Sequence, residues 1–248
     1  MEVYKQSFYK NRHNQTIYSA KEILSILLDV LPNIKSGVDV GCGVGTWLSV
    51  LMQMGIKEIK GIDGNWVDKK FLEIPEERFL SIDLSQPFEI ERQYDLAISL
   101  EVAEHLPPES AKDFIISLTK ISDFILFSAA IPFQGGPNHI NEQWQEYWTD
   151  LFNDQSYVVI DFIRCKIWEN EKIPIWYRQN ILFFAKKEKL SEVKIDSKKD
   201  FDSFKPISIV HPEMYLSKIK ETKSVRERWR IFRWALQDWI ADRLKVSR

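Results

Sequence analysis

The 248-residue chain is short of cysteine, of net charge and of long apolar runs. Cysteine occurs only at Cys42 and Cys165, with no CxxC pair, which removes a disulfide framework and predicts free thiols in a reducing compartment. A formal charge of -2, from 34 basic and 36 acidic residues, offers no argument for nucleic-acid binding by the chain as a whole. No apolar run approaches membrane-spanning length, and the stretch Met1 to Phe8 lacks the apolar core of a signal peptide. A soluble, cytoplasmic protein without a transmembrane segment is expected. Internal repeats and low-complexity tracts are also lacking. Tryptophan, by contrast, is plentiful at nine residues, mostly in two stretches around 144–176 and 229–239. Core and interface packing accounts for most rings of that size.

Apolar spacing predicts an amphipathic helix from about Thr16 to Leu31, through Ile23, Leu24, Leu27, Leu28 and Leu31, closed by Pro32 and Asn33. Short β-type runs then alternate with helical segments. Strands are expected at Gly37–Val40, Glu58–Ile62, Phe79–Ile82, Leu96–Leu100 and Phe124–Ser128, with helices at Trp47–Met54 and Ser110–Thr119. This alternation argues for an α/β fold with a mainly parallel sheet. The runs Tyr157–Ile163 and Ile181–Ala185 show no convincing helix between them and are expected to pair antiparallel at a sheet edge. Three regions follow: a main domain at 1–187, a charged linker or peripheral wrap at 188–223, and a basic amphipathic helix at 224–248. That last helix is read as docking on its own domain or meeting a partner or second copy, in preference to lying on an anionic membrane or polymer.

The segment Val38-Asp39-Val40-Gly41-Cys42-Gly43-Val44-Gly45 ends a strand and opens a helix. Glycine permits a tight turn and close approach of backbone to a nucleotide-bearing ligand. Alone, such a turn could be purely structural. Asp63, in Gly61-Ile62-Asp63-Gly64, ends the next strand, where a carboxylate can accept ribose hydroxyls. Asp83, in Ser81-Ile82-Asp83-Leu84, ends the third and is placed to meet an adenine amino group. Helix capping explains either aspartate singly but not both in succession. A dinucleotide dehydrogenase fits less well, because Gly45 stands two residues after Gly43 rather than three.

These motifs, continued by Tyr94-Asp95-Leu96-Ala97-Ile98-Ser99-Leu100-Glu101-Val102-Ala103-Glu104-His105-Leu106, resemble the ordered motifs of class I S-adenosylmethionine-dependent methyltransferases over roughly 36–187. The resemblance implies a Rossmann-like α/β sheet of seven strands whose last hairpin is antiparallel, with helical N- and C-terminal additions. It implies S-adenosylmethionine as cofactor. Asp39 and Gly41 would lie near its methionine portion, Asp63 on the ribose, and Asp83 and Leu84 at the adenine, with Gly43, Gly45 and Leu100 also among the cofactor-binding residues. Tyr18 and Arg12, in a polar and aromatic N-terminal segment, are candidates for its carboxylate.

Glu101, Glu104 and His105 would share one face if their segment formed a helical turn. Two carboxylates and an imidazole suit a hard divalent cation such as Mg²⁺ or Mn²⁺. The same sequence also serves as a helix cap or cofactor contact, so both readings stand. The loop Ile131-Pro132-Phe133-Gln134-Gly135-Gly136-Pro137-Asn138-His139 offers His139 as a fourth ligand or as a base with Glu104 and His105. The Glu-x-x-Glu-His pattern resembles small-RNA 2′-O-methyltransferases and ubiquinone-pathway O-methyltransferases, in which such a cluster holds Mg²⁺ against vicinal oxygens.

Asn141–Phe152 is expected to be a helix with Trp144, Trp148, Leu151 and Phe152 inward and with Asn141, Glu142 and Gln143 able to read hydroxyl groups. Trp176-Tyr177-Arg178-Gln179-Asn180, with Val210–Tyr215, resembles small methyltransferases that act on glycans. The leading expectation is therefore O-methylation of a sugar or polysaccharide hydroxyl. The alternatives are an RNA or catechol-type acceptor, with nucleic acid disfavoured by charge, or a binding protein with a closed pocket.

Overall fold

The computed structural model describes residues 6–194, 207–221, 229 and 233, with side chains at 13–194, 207–219, 229 and 233. Its sheet has seven strands: β1 (Ser36–Val40), β2 (Glu58–Asp63), β3 (Phe79–Ser81), β4 (Leu96–Leu100), β5 (Phe124–Ser128), β6 (Tyr157–Ile160) and β7 (Leu182–Lys186). They lie in the order β3-β2-β1-β4-β5-β7-β6. The first five are parallel; β7 runs antiparallel to β5, and β6 antiparallel to β7. Strand order reverses at β1, whose neighbours are β2 and β4, so a crevice opens at their carboxyl ends.

Every residue of β1, β4 and β5 is buried, as a sheet covered on both faces requires. Period-two alternation then divides the core. Leu96, Ile98, Leu100, Phe124 and Leu126 join one apolar layer, while Ala97, Ile125 and Phe127 join the other. The first layer is covered by α1 (Gln6–Val30) and α2 (Thr46–Gln53), the second by α3 (Ala111–Ile121) and α4 (Gln145–Asp154). Ile23, Leu24 and Leu27 of α1 are fully buried at helical spacing. Burial of each such side chain contributes about 1.5–3 kcal/mol. Asp95 pins the start of β4 to β1 by accepting from Lys35 N at 2.8 Å, Ser36 N at 2.9 Å and Ser36 Oγ at 3.0 Å.

The structure departs from the sequence expectations in four places. Helix α1 begins at Gln6 rather than near Thr16, since nothing between breaks a helix even though its apolar spacing is absent. Two short helices, α5 (Ile163–Ile167) and α6 (Ile175–Asn180), lie between β6 and β7, where no helix was expected. Each is too short to display a periodic stripe. Helix α4 starts at Gln145, so Asn141, Glu142 and Gln143 belong to the preceding loop. Trp144 is 44% exposed, outside the apolar face that Trp148 and Phe152 do form.

Arg164 of α5 is fully buried, where it pairs with Asp161 and donates to the carbonyls of Gln179 (3.1 Å) and Ile207 (3.0 Å). The charged stretch after Ala185 carries a 3₁₀ turn at Lys187–Glu192 and a helix α7 (Pro212–Glu221). Among the described residues, those from Val210 onward belong to a separate compact unit. The proposed basic helix at 224–248 lies outside the described residues except at positions 229 and 233, both helical. Among the described residues no helix is long and apolar enough to cross a membrane.

Candidate active site

The turn after β1 uses three glycines at positive φ: Gly41 at 86°, Gly43 at 53° and Gly45 at 86°. That left-handed backbone is accessible to glycine and strained for other residues. A Cβ at Gly41 would stand 2.2 Å from Val102, so the turn and the end of β4 pack without room for a side chain. Around Gly43 nothing lies within 4 Å of a Cβ position, and its amide donates to Asp63 Oδ2 at 2.7 Å. Asp63 Oδ1 accepts from Gly64 N at 2.6 Å. Each oxygen retains a lone pair for a further donor. Asp39, buried beside Asp63, has its pKa raised well above the ordinary carboxylate range by burial and then by the Asp63 charge.

A cavity of about 490 Å³ lies over this turn, lined by Gly41, Asp63, Trp66, Leu84, Glu101 and His105 among others. Trp66 was missed in the sequence. It is 70% exposed, and Gly64, two residues earlier, lacks the Cβ that would strike its ring at 2.1 Å. The Asp63-Gly64-Asn65-Trp66 run just past β2 was the available signal. Leu84 is buried, whereas Asp83 is exposed and bonded to Ser85 N (3.0 Å) and Oγ (2.7 Å), with its pKa lowered by those bonds. Leu100 is buried in the core at the end of β4. Tyr18 lies outside the lining of this cavity; its hydroxyl accepts from Asn170 Nδ2 at 3.2 Å. The Arg12 side chain lies outside the described residues.

A second cavity of about 430 Å³ shares Glu101 and His105 with the first and is otherwise lined by Gln15, Thr16, Glu104, His139 and Trp176, among others. The expected helical face breaks up here. Only Ala103–His105 forms a 3₁₀ turn, and Glu101 precedes it at φ 55°. Its carboxylate instead enters a cage of amides. Asn180 Nδ2 donates to Oε1 at 3.1 Å, and Gln134 Nε2 donates to Oε2 at 3.1 Å. Gln134 Oε1 in turn accepts from Asn180 at 2.9 Å and from Gln179 at 3.3 Å. Burial raises the Glu101 pKa, and these donors oppose the rise.

Glu104 is different in kind. It is fully buried, and neither carboxylate oxygen has a hydrogen-bond partner. Burial, then repulsion from Glu101, pushes its pKa up to about 9. Ligand atoms of Glu104, His105 and His139 all lie within 4.8 Å of one another. The two imidazoles meet edge-on, with centroids 4.8 Å apart. His105 Nδ1 faces the Asn138 carbonyl at 3.3 Å. A carbonyl only accepts, so Nδ1 carries the hydrogen and Nε2 is left as the acceptor nitrogen. Burial and the neighbouring His139 lower the His105 pKa and so favour its neutral form.

The loop that brings His139 here is tied down by its own backbone and side chains. Ile140 N and Asn141 N both donate to the Glu104 carbonyl, at 2.9 and 3.0 Å. Asn141 Nδ2 reaches the Ala103 carbonyl at 3.4 Å, and Gln143 Nε2 reaches Asn141 at 3.0 Å. Glu142 bonds within the loop as well. All three polar residues expected to read hydroxyl groups therefore hold the loop together.

A family described as a methyltransferase domain matches residues 11–161. No curated protein matches the chain. Among solved structures, the chain is similar to the magnesium protoporphyrin IX methyltransferase (ChlM) of Synechocystis PCC 6803 with bound SAH, at 17% identity over 75% of this chain and 90% of that one, TM-score 0.52. It is similar to CalS10, an amino pentose methyltransferase of Micromonospora echinaspora, at 10% identity over 75% and 99% of the two chains, TM-score 0.52. DesVI of Streptomyces venezuelae matches at 18% identity over 55% of this chain, TM-score 0.44, and the chain spans 62% of its length.

Proposed function

The chain belongs to the methyltransferase-domain family, and from that premise we propose an S-adenosylmethionine-dependent O-methyltransferase whose acceptor is a sugar or glycan hydroxyl and whose acceptor side holds Mg²⁺ or Mn²⁺. The observation that carries the acceptor side is the Glu104 carboxylate, buried with both oxygens unpartnered beside two imidazoles. A buried charge of that kind is stable only with a cation or a proton. The donor set, one carboxylate and two imidazole nitrogens without thiolate, suits a hard or borderline divalent ion.

The cofactor side fits the family's cofactor. Gly43 leaves open space where a side chain would stand, and Asp63 has lone pairs to spare beside a cavity floored by Gly41 and Leu84. S-adenosylmethionine supplies a methyl group already activated by its sulfonium. The protein's share is alignment and proton management. Glu101 and His105 line both cavities and so stand where cofactor and acceptor meet. Without a cation, His105, neutral and with Nδ1–H turned to Asn138, would instead take the acceptor's hydroxyl proton at Nε2. Glu104, His105 and His139 would hold the cation, which lowers the pKa of a hydroxyl and fixes vicinal oxygens. Vicinal oxygens are what a sugar offers, and an amino pentose is the substrate class named for CalS10. The second cavity is open, with room for an acceptor, which disfavours a protein that only binds.

The test is methyl transfer from labelled S-adenosylmethionine to sugars, polysaccharides and catechols, with and without chelator. Transfer to a saccharide that chelator abolishes and Mn²⁺ restores is expected. Full activity in chelator that is indifferent to His139→Ala would overturn the cation reading, and transfer to catechols alone would overturn the sugar.

A further inference from the structure

The residue that holds His139 lines neither cavity. Glu142 sits three residues beyond it, partly buried, and its carboxylate collects three donors. Phe133 N donates to Oε2 at 2.8 Å, and Gly135 N donates to Oε1 at 2.6 Å. His139 Nδ1 lies 2.9 Å from Oε1. The loop these contacts close is strained. Phe133 (φ 67°) and Asn138 (φ 60°) both sit in the left-handed region, which bulky residues avoid unless their surroundings impose it. Phe133 N is one of the groups Glu142 holds, so the carboxylate is part of what imposes it.

We propose that Glu142 is the positioning residue of the acceptor site: it fixes the 133–139 loop and sets His139 with Nδ1 protonated, which leaves Nε2 as its working nitrogen. The inference rests on the reading of His139 as an acceptor-side residue. The tautomer follows from the partners. Oε1 already accepts from Gly135 N, so the ring nitrogen facing it must bring the hydrogen. Gly136 completes the seat, since a Cβ there would stand 2.2 Å from His139 Nε2. The ring therefore lies against bare backbone on one side and is held by a carboxylate at Nδ1. Its remaining nitrogen is the one free to meet a cation or a proton.

The experiment is ¹⁵N NMR of the full chain labelled at histidine, with the His139 signals identified by their loss in His139→Asn. Wild-type protein is expected to show a single His139 tautomer, protonated at Nδ1 and bare at Nε2. Glu142→Ala is expected to lose that single tautomer in favour of protonation at Nε2 or exchange between the two. In the same sample, S-adenosylmethionine binding by calorimetry should stay within about threefold of wild type, because Glu142 itself does not line the cofactor cavity and Asn138 is the one residue of its loop that does. An Nε2-protonated His139 in the wild type overturns the proposal, whether or not the variant folds. An unchanged tautomer in a variant that still binds cofactor overturns it too. Neither readout needs an acceptor, so a failure to find methyl transfer would count against the reaction assigned above and leave this result standing.

Discussion

Glu104→Gln is the most informative single change, because it replaces a titrating group by a neutral isostere at a fully buried site. In the folded protein Glu104 holds its proton up to about pH 9, whereas the unfolded chain releases it near the ordinary value of 4.5. Between those limits the native state binds one proton more than the unfolded state. Stability contributed by this group is therefore complete below about pH 4.5 and declines as pH rises toward 9. One proton corresponds to a slope of about -1.4 kcal/mol per pH unit. For a chain of this size that is about 3–5 °C of Tm per pH unit. Asp39 is also raised, and its slope is common to both proteins, whereas Glu101 repels Glu104 and titrates with it, so the difference between wild type and variant reports the Glu101–Glu104 pair. Differential scanning fluorimetry from pH 6 to pH 8.5 in chelator should show wild type losing Tm faster than Glu104→Gln by that amount. Saturating Mn²⁺ should flatten the wild-type slope, since a bound cation displaces the proton. Parallel Tm–pH lines for the two metal-free proteins would refute the buried-proton account.

Other substitutions separate the two halves of the site. Asp63→Ala removes the acceptor for Gly43 and Gly64 amides, and charge-assisted bonds of that kind are worth about 1.5–3 kcal/mol. Calorimetry should find S-adenosylmethionine affinity down by roughly 10–100-fold, and an unchanged Kd would remove Asp63 from the cofactor site. Gly136→Ala forces the His139 ring aside without touching the cofactor turn. Turnover should fall by about 100-fold with cofactor affinity intact, as a displacement of this size in a catalytic group implies. Arg164→Ala strands Asp161 beneath α5 and leaves the Gln179 and Ile207 carbonyls without that donor, a loss of about 3–5 kcal/mol measurable by urea denaturation.

The placement of the glycine turn and of Asp63 was legible in the sequence because these parts are local. Gly41, Gly43 and Asp63 sit at the ends of consecutive strands, and strand periodicity alone locates those ends. Leu84 lines the cavity over this turn, while Asp83 Oδ1 accepts from Ser85 N and Oγ. Glu104, His105 and His139 were picked out by residue type, and the structure brings all three together. Glu101 was grouped with them on the assumption of a helical face, but its positive φ sends it to the amides instead. Gln134, Gln179 and Asn180 were invisible as a set, because only the completed fold makes neighbours of residues so far apart in sequence. The α5 and α6 helices escaped notice because one or two turns carry no period.

The cage around Glu101 has a consequence for the order in which the protein comes into being. The glycine turn, Asp63 and Leu84 leave the ribosome early and can assemble once β4 has paired with β1. The partner that Glu101 finds in Asn180 is 79 residues further along. A nascent chain thus completes the turn around Asp63 before it can complete the cage around Glu101. The amide cage around Glu101 is completed only on a chain whose last hairpin has docked.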